Sequence, residues 1–226
     1  MKRILVVAAH PDDEVLGMGG TIAKLTAQNH EVHLLIVTDG STSQYRGADN
    51  LSEIIENKRK ETEECVKLLG IKTVLYGMLP DMKLDVTSHV DVNKVIEDAV
   101  EKLKPDTVFT HFWGDVNLDH QCVYRSTLVA VRPVFTQCVR EVYCYNTPSS
   151  TEWSPSVPNA AYMPDFYVDI TDYAELKYKA FKAYKTEVRD FPHPRSVEYL
   201  RKTDETTGLS VGLNTAEAFI TLRRFG

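Results

Sequence analysis

A short run of ionisable residues near the start of the chain, His10-Pro11-Asp12-Asp13-Glu14, is the part of the sequence best suited to chemistry. A histidine and an aspartate three residues apart offer one nitrogen and one oxygen ligand to a metal ion. Acidic side chains this close together repel one another unless a cation is present. A single aspartate would suffice to cap a following helix, so the pattern favours a metal site over helix capping.

A third ligand is expected, because a catalytic zinc ion is held by three side chains and keeps one position open. The stretch Asp115-x-Asn117-x-Asp119-His120 follows a predicted strand at 107–111 and is unusually polar. His120 is the candidate third ligand, and Asp119 is a candidate to orient a ligand or the substrate. Taken alone, His111 or His120 would be assigned a structural role. Together with His10 and Asp13, they favour a metal site.

Both motifs are predicted to lie at strand ends of an α/β fold. Residues 4–9 form a continuous apolar run typical of a buried strand, residues 14–28 have helical periodicity, and residues 31–38 form a second strand. This βαβ pattern predicts parallel pairing with a right-handed crossover. Further strands are predicted at 72–76, 107–111, 139–145 and 166–170, and further helices at 51–69, 89–103, 119–131 and 174–188.

We therefore predict a single domain over residues 1–226, in which about 160–226 extends the same unit. Its fold class is α/β, with a Rossmann-like, doubly wound and mostly parallel sheet and helices on both faces. Open sheets of this kind bind ligands beyond the carboxyl ends of their strands. The long polar loops at 40–50 and 146–159 are expected to line the substrate cleft.

A dinucleotide-binding fold is the rival interpretation, because Gly17-Met18-Gly19-Gly20 follows the first predicted strand and turn. These glycines lie within the predicted helix and do not match the G-x-G-x-x-G pattern. The turn itself is acidic at the place where a pyrophosphate would have to bind. We expect the glycines to let the helix pack closely against a strand instead.

The composition indicates a soluble globular protein, since 43% of the 226 residues are hydrophobic and 26% are charged. A net charge of -6 without a dense Lys/Arg stripe argues against nucleic acid as a partner. The apolar run 4–9 is too short for a signal peptide or a membrane span, so no membrane insertion is expected. Four cysteines without a C-x-x-C pair predict buried thiols in a reducing compartment, hence a cytoplasmic protein. A homo-oligomer is left open.

The first motif, the glycine-rich helix after it and the Asp119-His120 pair resemble the LmbE-like (PIG-L type) family of zinc-dependent N-deacetylases. The resemblance extends through residues 79–81, 110–133, 148–153 and 193–196, and so covers essentially the whole chain. Family substrates are typically N-acetylglucosamine units attached to lipids, thiol precursors, nucleotides or antibiotics.

The resemblance implies roles for individual residues. His10, Asp13 and His120 would hold the metal, which is Zn²⁺ by the resemblance, although Fe²⁺ suits the same ligands. Asp12 would be the base that activates water.

One family position differs in this chain. Many members have a histidine three residues before the last ligand, where this sequence has Asn117. Protonation of the departing amine is then assigned to Asp12, with His111 and His193 as alternatives, and Asn117 is expected to support the oxyanion. The residues predicted to support the ligands or to contact the substrate are Asp115, Asp119, His193 and Arg195.

The sequence thus predicts a metal-dependent hydrolase that removes the acetyl group from an N-acetylated amino sugar or sugar conjugate. Two alternatives are kept: a metallo-amidase acting on a non-sugar amide, and a non-catalytic module that binds a glycan through the metal. The presence of Asp12 argues against the second, because a binder needs no base beside the ion.

Overall fold

A computed structural model describes residues 1–43, 45–134 and 136–225 of the chain. The strands are β1 (Arg3–Ala8), β2 (Glu31–Thr38), β3 (Thr73–Leu79), β4 (Thr107–His111), β5 (Glu141–Tyr145), β6 (Phe166–Asp169) and β7 (Ala216–Arg224). The helices are α1 (Asp13–Ala27), α2 (Leu51–Leu69), α3 (His89–Leu103), α4 (Leu118–Ala130), α5 (Ala174–Phe181) and α6 (Val197–Leu209), with a short 3-10 helix at Thr151–Trp153.

All seven strands belong to one sheet, in the order β3-β2-β1-β4-β5-β7-β6. The five strands from β3 to β5 pair in parallel, whereas β7 is antiparallel to both β5 and β6. The predicted single-domain α/β fold with a mostly parallel sheet is therefore confirmed. The C-terminal elements join this sheet at one edge.

Strand β1 explains why the sheet is covered on both faces. Its buried side chains alternate, so that Ile4 and Val6 belong to one hydrophobic core while Leu5 and Val7 belong to the other. Helices α1, α2 and α5 pack over the first core, and α3 and α4 pack over the second. A continuous apolar run is the pattern that such a doubly covered parallel strand requires.

The glycines of α1 serve close packing, as the sequence predicts. A Cβ atom at Gly17 would lie 2.4 Å from the ring of Tyr145, and one at Gly20 would lie 2.7 Å from the side chain of Ile170. Any larger residue would therefore push the helix away from its neighbours. Close packing therefore explains why glycines occur at these positions, and phosphate binding is not needed to explain them.

The C-terminal third departs from the sequence-based expectation. The helix predicted at 174–188 ends at Phe181, and neither α6 nor β7 was predicted. Strand β7 inserts between β5 and β6, so its pairing depends on partners far away in the chain. Strand β3 also continues to Leu79, three residues beyond the predicted end at 76.

Two further observations concern the whole chain. All four cysteines are free thiols, with Cys65 and Cys144 buried and Cys122 and Cys138 half-buried. None of the helices in the described ranges combines the length and the apolar character that a membrane crossing requires.

Candidate metal centre and catalytic cavity

The candidate site lies where the winding of the sheet reverses. From β1 the chain proceeds outward to β2 and β3, and then returns to form β4 on the other side of β1. Open α/β sheets bind ligands in the crevice at such a point, beyond the carboxyl ends of the strands. A cavity of about 280 Å³ opens here, and both sequence motifs contribute to its lining.

Three predicted ligand residues converge at the bottom of this cavity. His10 Nδ1 lies 3.3 Å from Asp13 Oδ2, and His120 Nε2 lies 3.3 Å from His10 Nδ1 and 3.4 Å from Asp13 Oδ1. Atoms bound at about 2.0–2.1 Å to a tetrahedral ion are about 3.3–3.4 Å apart. The arrangement of two nitrogens and one oxygen therefore fits a zinc-sized cation.

Electrostatics at the cluster also favour a cation. Burial by itself would raise the pKa of Asp13, but the imidazoles of His120 and His111 hold it well below its usual range. Burial lowers the pKa of His120, yet the charge of Asp13 and the contact with Asp115 outweigh it and raise the pKa to about 9. The surrounding carboxylates thus stabilise positive charge at this position, whether a proton or a metal supplies it.

A carboxylate behind each histidine sets its orientation. His10 Nε2 is 3.1 Å from Asp119 Oδ2, and Asp119 in turn accepts a hydrogen bond of 2.7 Å from the backbone N–H of Met82. His120 Nδ1 is 3.1 Å from Asp115 Oδ2. These contacts leave His10 Nδ1 and His120 Nε2 facing each other, which is how outer carboxylates orient metal-binding histidines.

Asp12 occupies the rim of the cluster in a strained conformation. Its φ is 103°, which is uncommon for a residue with a side chain and is concentrated at functional sites. Within the described part of the chain, its Oδ2 is buried without a hydrogen-bond partner, and Arg195 Nη1 lies 3.8 Å away. Burial, with the charges of Glu187 and Asp13, raises the pKa of Asp12.

The helix-capping interpretation does not describe Asp12. Although Asp12 precedes α1, its side chain makes no capping hydrogen bond. The adjacent Asp13 accepts a hydrogen bond of 2.7 Å from the backbone N–H of His10. This bond stabilises the turn between the two residues.

His111 lies behind Asp13 and has no exposed surface. Its Nε2 accepts a hydrogen bond of 2.9 Å from the Ala9 backbone N–H, and its Nδ1 is 3.1 Å from the Thr147 hydroxyl. Burial and the neighbouring His120 lower its pKa to about 4. The expectation that His111 supplies a proton to substrate does not suit this position, because the ring does not line the cavity.

The remaining predicted residues divide into two groups. Asn117 and Arg195 line the cavity, and Asn117 also caps α4 by accepting a hydrogen bond of 2.9 Å from the Asp119 N–H. His193 does not line the cavity, and its Nδ1 accepts a hydrogen bond of 3.0 Å from the Arg195 backbone N–H. This histidine thus holds the segment that carries Arg195, which does not suit the alternative role of proton donor.

The two loops predicted to line the cleft contribute unequally. Thr147, Pro148, Ser149 and Ser150 of the 146–159 loop line the cavity, whereas the 40–50 loop contributes Gly40 among its described residues. Gln44 of that loop lies outside the described residues.

The sequence analysis missed three charged residues that line the cavity. Glu187 forms ion pairs with both Lys58 and Arg195, so that a buried acid joins two cations beside Asp12. Lys58 belongs to the amphipathic helix α2. Its sequence pattern there is that of an ordinary solvent-exposed lysine, so nothing local indicated that it is buried. Asp81 Oδ1 is 3.4 Å from His10 Nε2, and its place just beyond the end of β3 was the available signal.

Glu14 is buried beside the cluster and provides a prediction about stability. Its Oε1 accepts a hydrogen bond of 2.6 Å from the Tyr184 hydroxyl, and burial raises its pKa from 4.5 to about 7. The folded protein then keeps a proton that the unfolded chain releases, so the free energy of unfolding falls as pH rises from about 5 to about 7. Glu14→Gln removes this titration, and its thermal midpoint should fall less than that of the wild type between about pH 5 and about pH 8. Equal changes in both proteins would contradict the assignment.

Comparison with known proteins identifies the family. The family model described as PIG-L, GlcNAc-PI de-N-acetylase, matches residues 5–131, a range that contains both motifs. The chain therefore belongs to this family of deacetylases, and the resemblance noted in the sequence is confirmed.

Individual relatives agree with this membership. The chain is 26% identical to the uncharacterized deacetylase YaiS of Escherichia coli K12, covering 82% of this chain and 91% of that protein. It is also 26% identical to diacetylchitobiose deacetylase of Thermococcus kodakarensis, over 83% and 70% of the two chains. Among solved structures, N,N'-diacetylchitobiose deacetylase from Pyrococcus horikoshii superimposes with a TM-score of 0.75 at 25% identity, covering 98% of this chain and 84% of that one.

Proposed function

We propose that this chain is a zinc-dependent hydrolase that removes the acetyl group from an N-acetylated amino sugar or sugar conjugate. The observation that carries the proposal is the cluster of His10, Asp13 and His120, beside which Asp12 Oδ2 is buried without a hydrogen-bond partner among the described residues. The names of the diacetylchitobiose deacetylases support an N-acetylated sugar as substrate. Fe²⁺ suits the same two nitrogens and one oxygen and is the alternative metal.

In the proposed reaction, Asp12 transfers one proton in two steps, from the attacking water to the departing amine. When bound, the ion would supply a Lewis acid for the amide carbonyl and lower the pKa of water towards about 7. Asp12 then accepts the proton of the attacking water at Oδ2, which has no hydrogen-bond partner in the described ranges and lies 3.8 Å from Arg195 Nη1. As the water oxygen bonds to the carbonyl carbon, Asp12 holds this proton and then returns it to the amide nitrogen. The C–N bond breaks, and acetic acid and the free amine are released.

Neighbouring residues prepare Asp12 for both steps. Arg195 stabilises the carboxylate form from 3.8 Å, while Glu187 opposes it and holds Arg195 in place. Because neither His111 nor His193 lines the cavity, we propose that Asp12 is both base and acid. We propose that His111 fixes the chain just before His10, since its Nε2 accepts the Ala9 backbone N–H at 2.9 Å.

Asn117 is proposed to support the developing oxyanion through its amide group. Its Oδ1 is engaged in capping α4, while within the described ranges its Nδ2 donates to the weak acceptor Met82 Sδ at 3.6 Å. Asn117→Ser keeps a side-chain oxygen for the cap and removes the amide donor. Turnover should fall by about 10²- to 10³-fold while the thermal midpoint stays unchanged. A variant as active as wild type would remove Asn117 from the mechanism.

A panel of substrates tests the function and its alternatives. Release of acetate is measured from N-acetylglucosamine, diacetylchitobiose and a non-sugar acetamide, with and without a chelator. We expect hydrolysis of the sugars only, loss of activity with the chelator and recovery after Zn²⁺ is restored. Faster hydrolysis of the non-sugar amide would favour the metallo-amidase, and metal-dependent binding without acetate release would favour the glycan-binding module.

A further inference from the structure

Met82 is a methionine on the wall of the catalytic cavity that solvent can reach. The residue lines that cavity and is 53% exposed. Of the other four methionines, Met18 is buried in the core, and Met1, Met78 and Met163 lie outside the cavity lining. Met82 is therefore exposed to solvent and to the catalytic cavity at once.

The backbone fixes Met82 in this place. Its φ is 53°, a left-handed conformation that is rare for a residue with a long side chain. The backbone N–H groups of Met82 and Leu84 donate to the two oxygens of Asp119 at 2.7 and 3.0 Å. Such a conformation costs free energy and persists where the surrounding contacts enforce it, often at functional sites. The carboxylate that orients His10 thus also holds Met82 in position.

The sulfur of Met82 contacts the residue proposed to support the oxyanion. Asn117 Nδ2 donates to Met82 Sδ at 3.6 Å. A thioether is a weak acceptor, so this contact leaves the amide free to bind a substrate oxygen. Oxidation to the sulfoxide converts the same side chain into a polar one with an oxygen acceptor on the sulfur. The oxidation state of one sulfur atom would therefore decide whether the Asn117 amide can serve the substrate.

The cysteines of the chain are poor targets for a peroxide. The thiolate is the reactive form of cysteine, and oxidation follows thiolate character. Burial raises the pKa of all four thiols, which are those of Cys65, Cys122, Cys138 and Cys144. They are therefore held in the less reactive protonated form, which leaves exposed methionine sulfur as a target.

We propose that Met82 is an oxidative modification site, and that its sulfoxide lowers the deacetylase activity by binding the Asn117 amide. The inference rests on the proposed function and on the role of Asn117 in it. In the modification, the Met82 sulfur attacks one oxygen of hydrogen peroxide, the S–O bond forms and the O–O bond breaks. The leaving hydroxide takes the proton of the transferred oxygen, so the sulfur is oxidised and the peroxide is reduced to water.

The modification is reversible by methionine sulfoxide reductases. In that step two thiols of the reductase system are oxidised to a disulfide, and the sulfoxide oxygen leaves as water. The Met82 thioether is restored, and the Asn117 amide is released.

The experiment treats the zinc-loaded protein with hydrogen peroxide and measures oxidation at Met82 by peptide mass spectrometry. Acetate release from diacetylchitobiose is followed on the same samples. As Met82 gains one oxygen, turnover should fall by about tenfold or more, with the loss of about 10²- to 10³-fold expected for Asn117→Ser as the limit. Methionine sulfoxide reductases should restore turnover. Dithiothreitol alone, which reduces disulfides and sulfenic acids of cysteine, should not restore it.

Two variants assign the effect to one sulfur atom. Met82→Leu removes the sulfur and keeps an apolar side chain of similar size, so its turnover should be the same before and after peroxide. Met163→Leu is the matched control, because Met163 is 71% exposed and lies outside the cavity lining. This control should lose turnover with peroxide as the wild type does.

A further measurement needs no substrate. The side-chain amide signals of Asn117, assigned by their absence in Asn117→Ser, are recorded by NMR on isotope-labelled, zinc-loaded protein. We expect these signals to move on oxidation, because the amide then donates to a stronger acceptor, and to return after treatment with the reductases. This measurement decides the matter even if Met82→Leu does not fold.

Four results would overturn the inference: a fall in turnover without oxygen at Met82, oxidised Met82 with unchanged turnover, oxidised Met82 with unmoved Asn117 amide signals, or equal loss of turnover in Met82→Leu and the wild type. Failure of the proposed deacetylation has a different signature. In that case no acetate is released from any substrate before oxidation, while the amide signals still report whether the sulfoxide binds Asn117.

Discussion

Replacing Asp12 by asparagine is expected to lower the rate of deacetylation by about 10²- to 10⁴-fold while the metal content remains nearly unchanged. Asparagine has the same shape and tolerates the positive φ of 103° at this position, so the turn should be preserved. What is lost is the carboxylate that accepts the proton of the attacking water. Turnover is followed by release of the free amine, and metal content by elemental analysis of the purified protein.

A matched control separates this effect from the loss of any carboxylate. Asp106→Asn alters a half-buried acid that accepts a hydrogen bond from the Arg3 N–H, just before β4 begins and so at the opposite end of that strand from the site. Its turnover should equal that of the wild type. If Asp12→Asn loses metal and activity together, Asp12 is a ligand, and the assignment of the base is wrong.

Removing any one of the three proposed ligands is expected to abolish metal retention. His10→Ala, Asp13→Ala and His120→Ala each leave two donors, and loss of an outer-shell partner alone typically weakens metal affinity by about 10- to 100-fold. The purified variants should therefore contain far less than one metal ion per chain and show almost no turnover. Elemental analysis and activity are measured on the same preparations.

Two further variants bracket this result. Asp119→Asn removes a charge that orients His10 from 3.1 Å and should weaken metal affinity by about 10- to 100-fold without abolishing binding. His193→Ala, outside the cavity, should keep full metal content. Full metal content in His120→Ala would exclude that histidine from the ligand set.

Local sequence patterns were sufficient for much of the fold. The apolar run that became β1, the helical periodicity of α1 and the polar segment before α4 are properties of short stretches of chain. Prediction failed at β7, because a strand that inserts between β5 and β6 is recognised by its distant partners. It also failed for the helix after β6, which ends at Phe181 although its sequence pattern continues to 188.

The sequence by itself determined the ligand candidates, because His10 and Asp13 are three residues apart and their geometry follows from one turn of the chain. Only the tertiary structure decided which distant groups meet them. Asp119 reaches His10 across 109 positions of the chain, and Glu187 reaches Lys58 across 129. Periodicity describes which face of an element is buried, whereas contacts between elements depend on how their surfaces pack. For this reason His111 could be predicted near the site, but only the folded chain places it behind Asp13, away from the cavity lining.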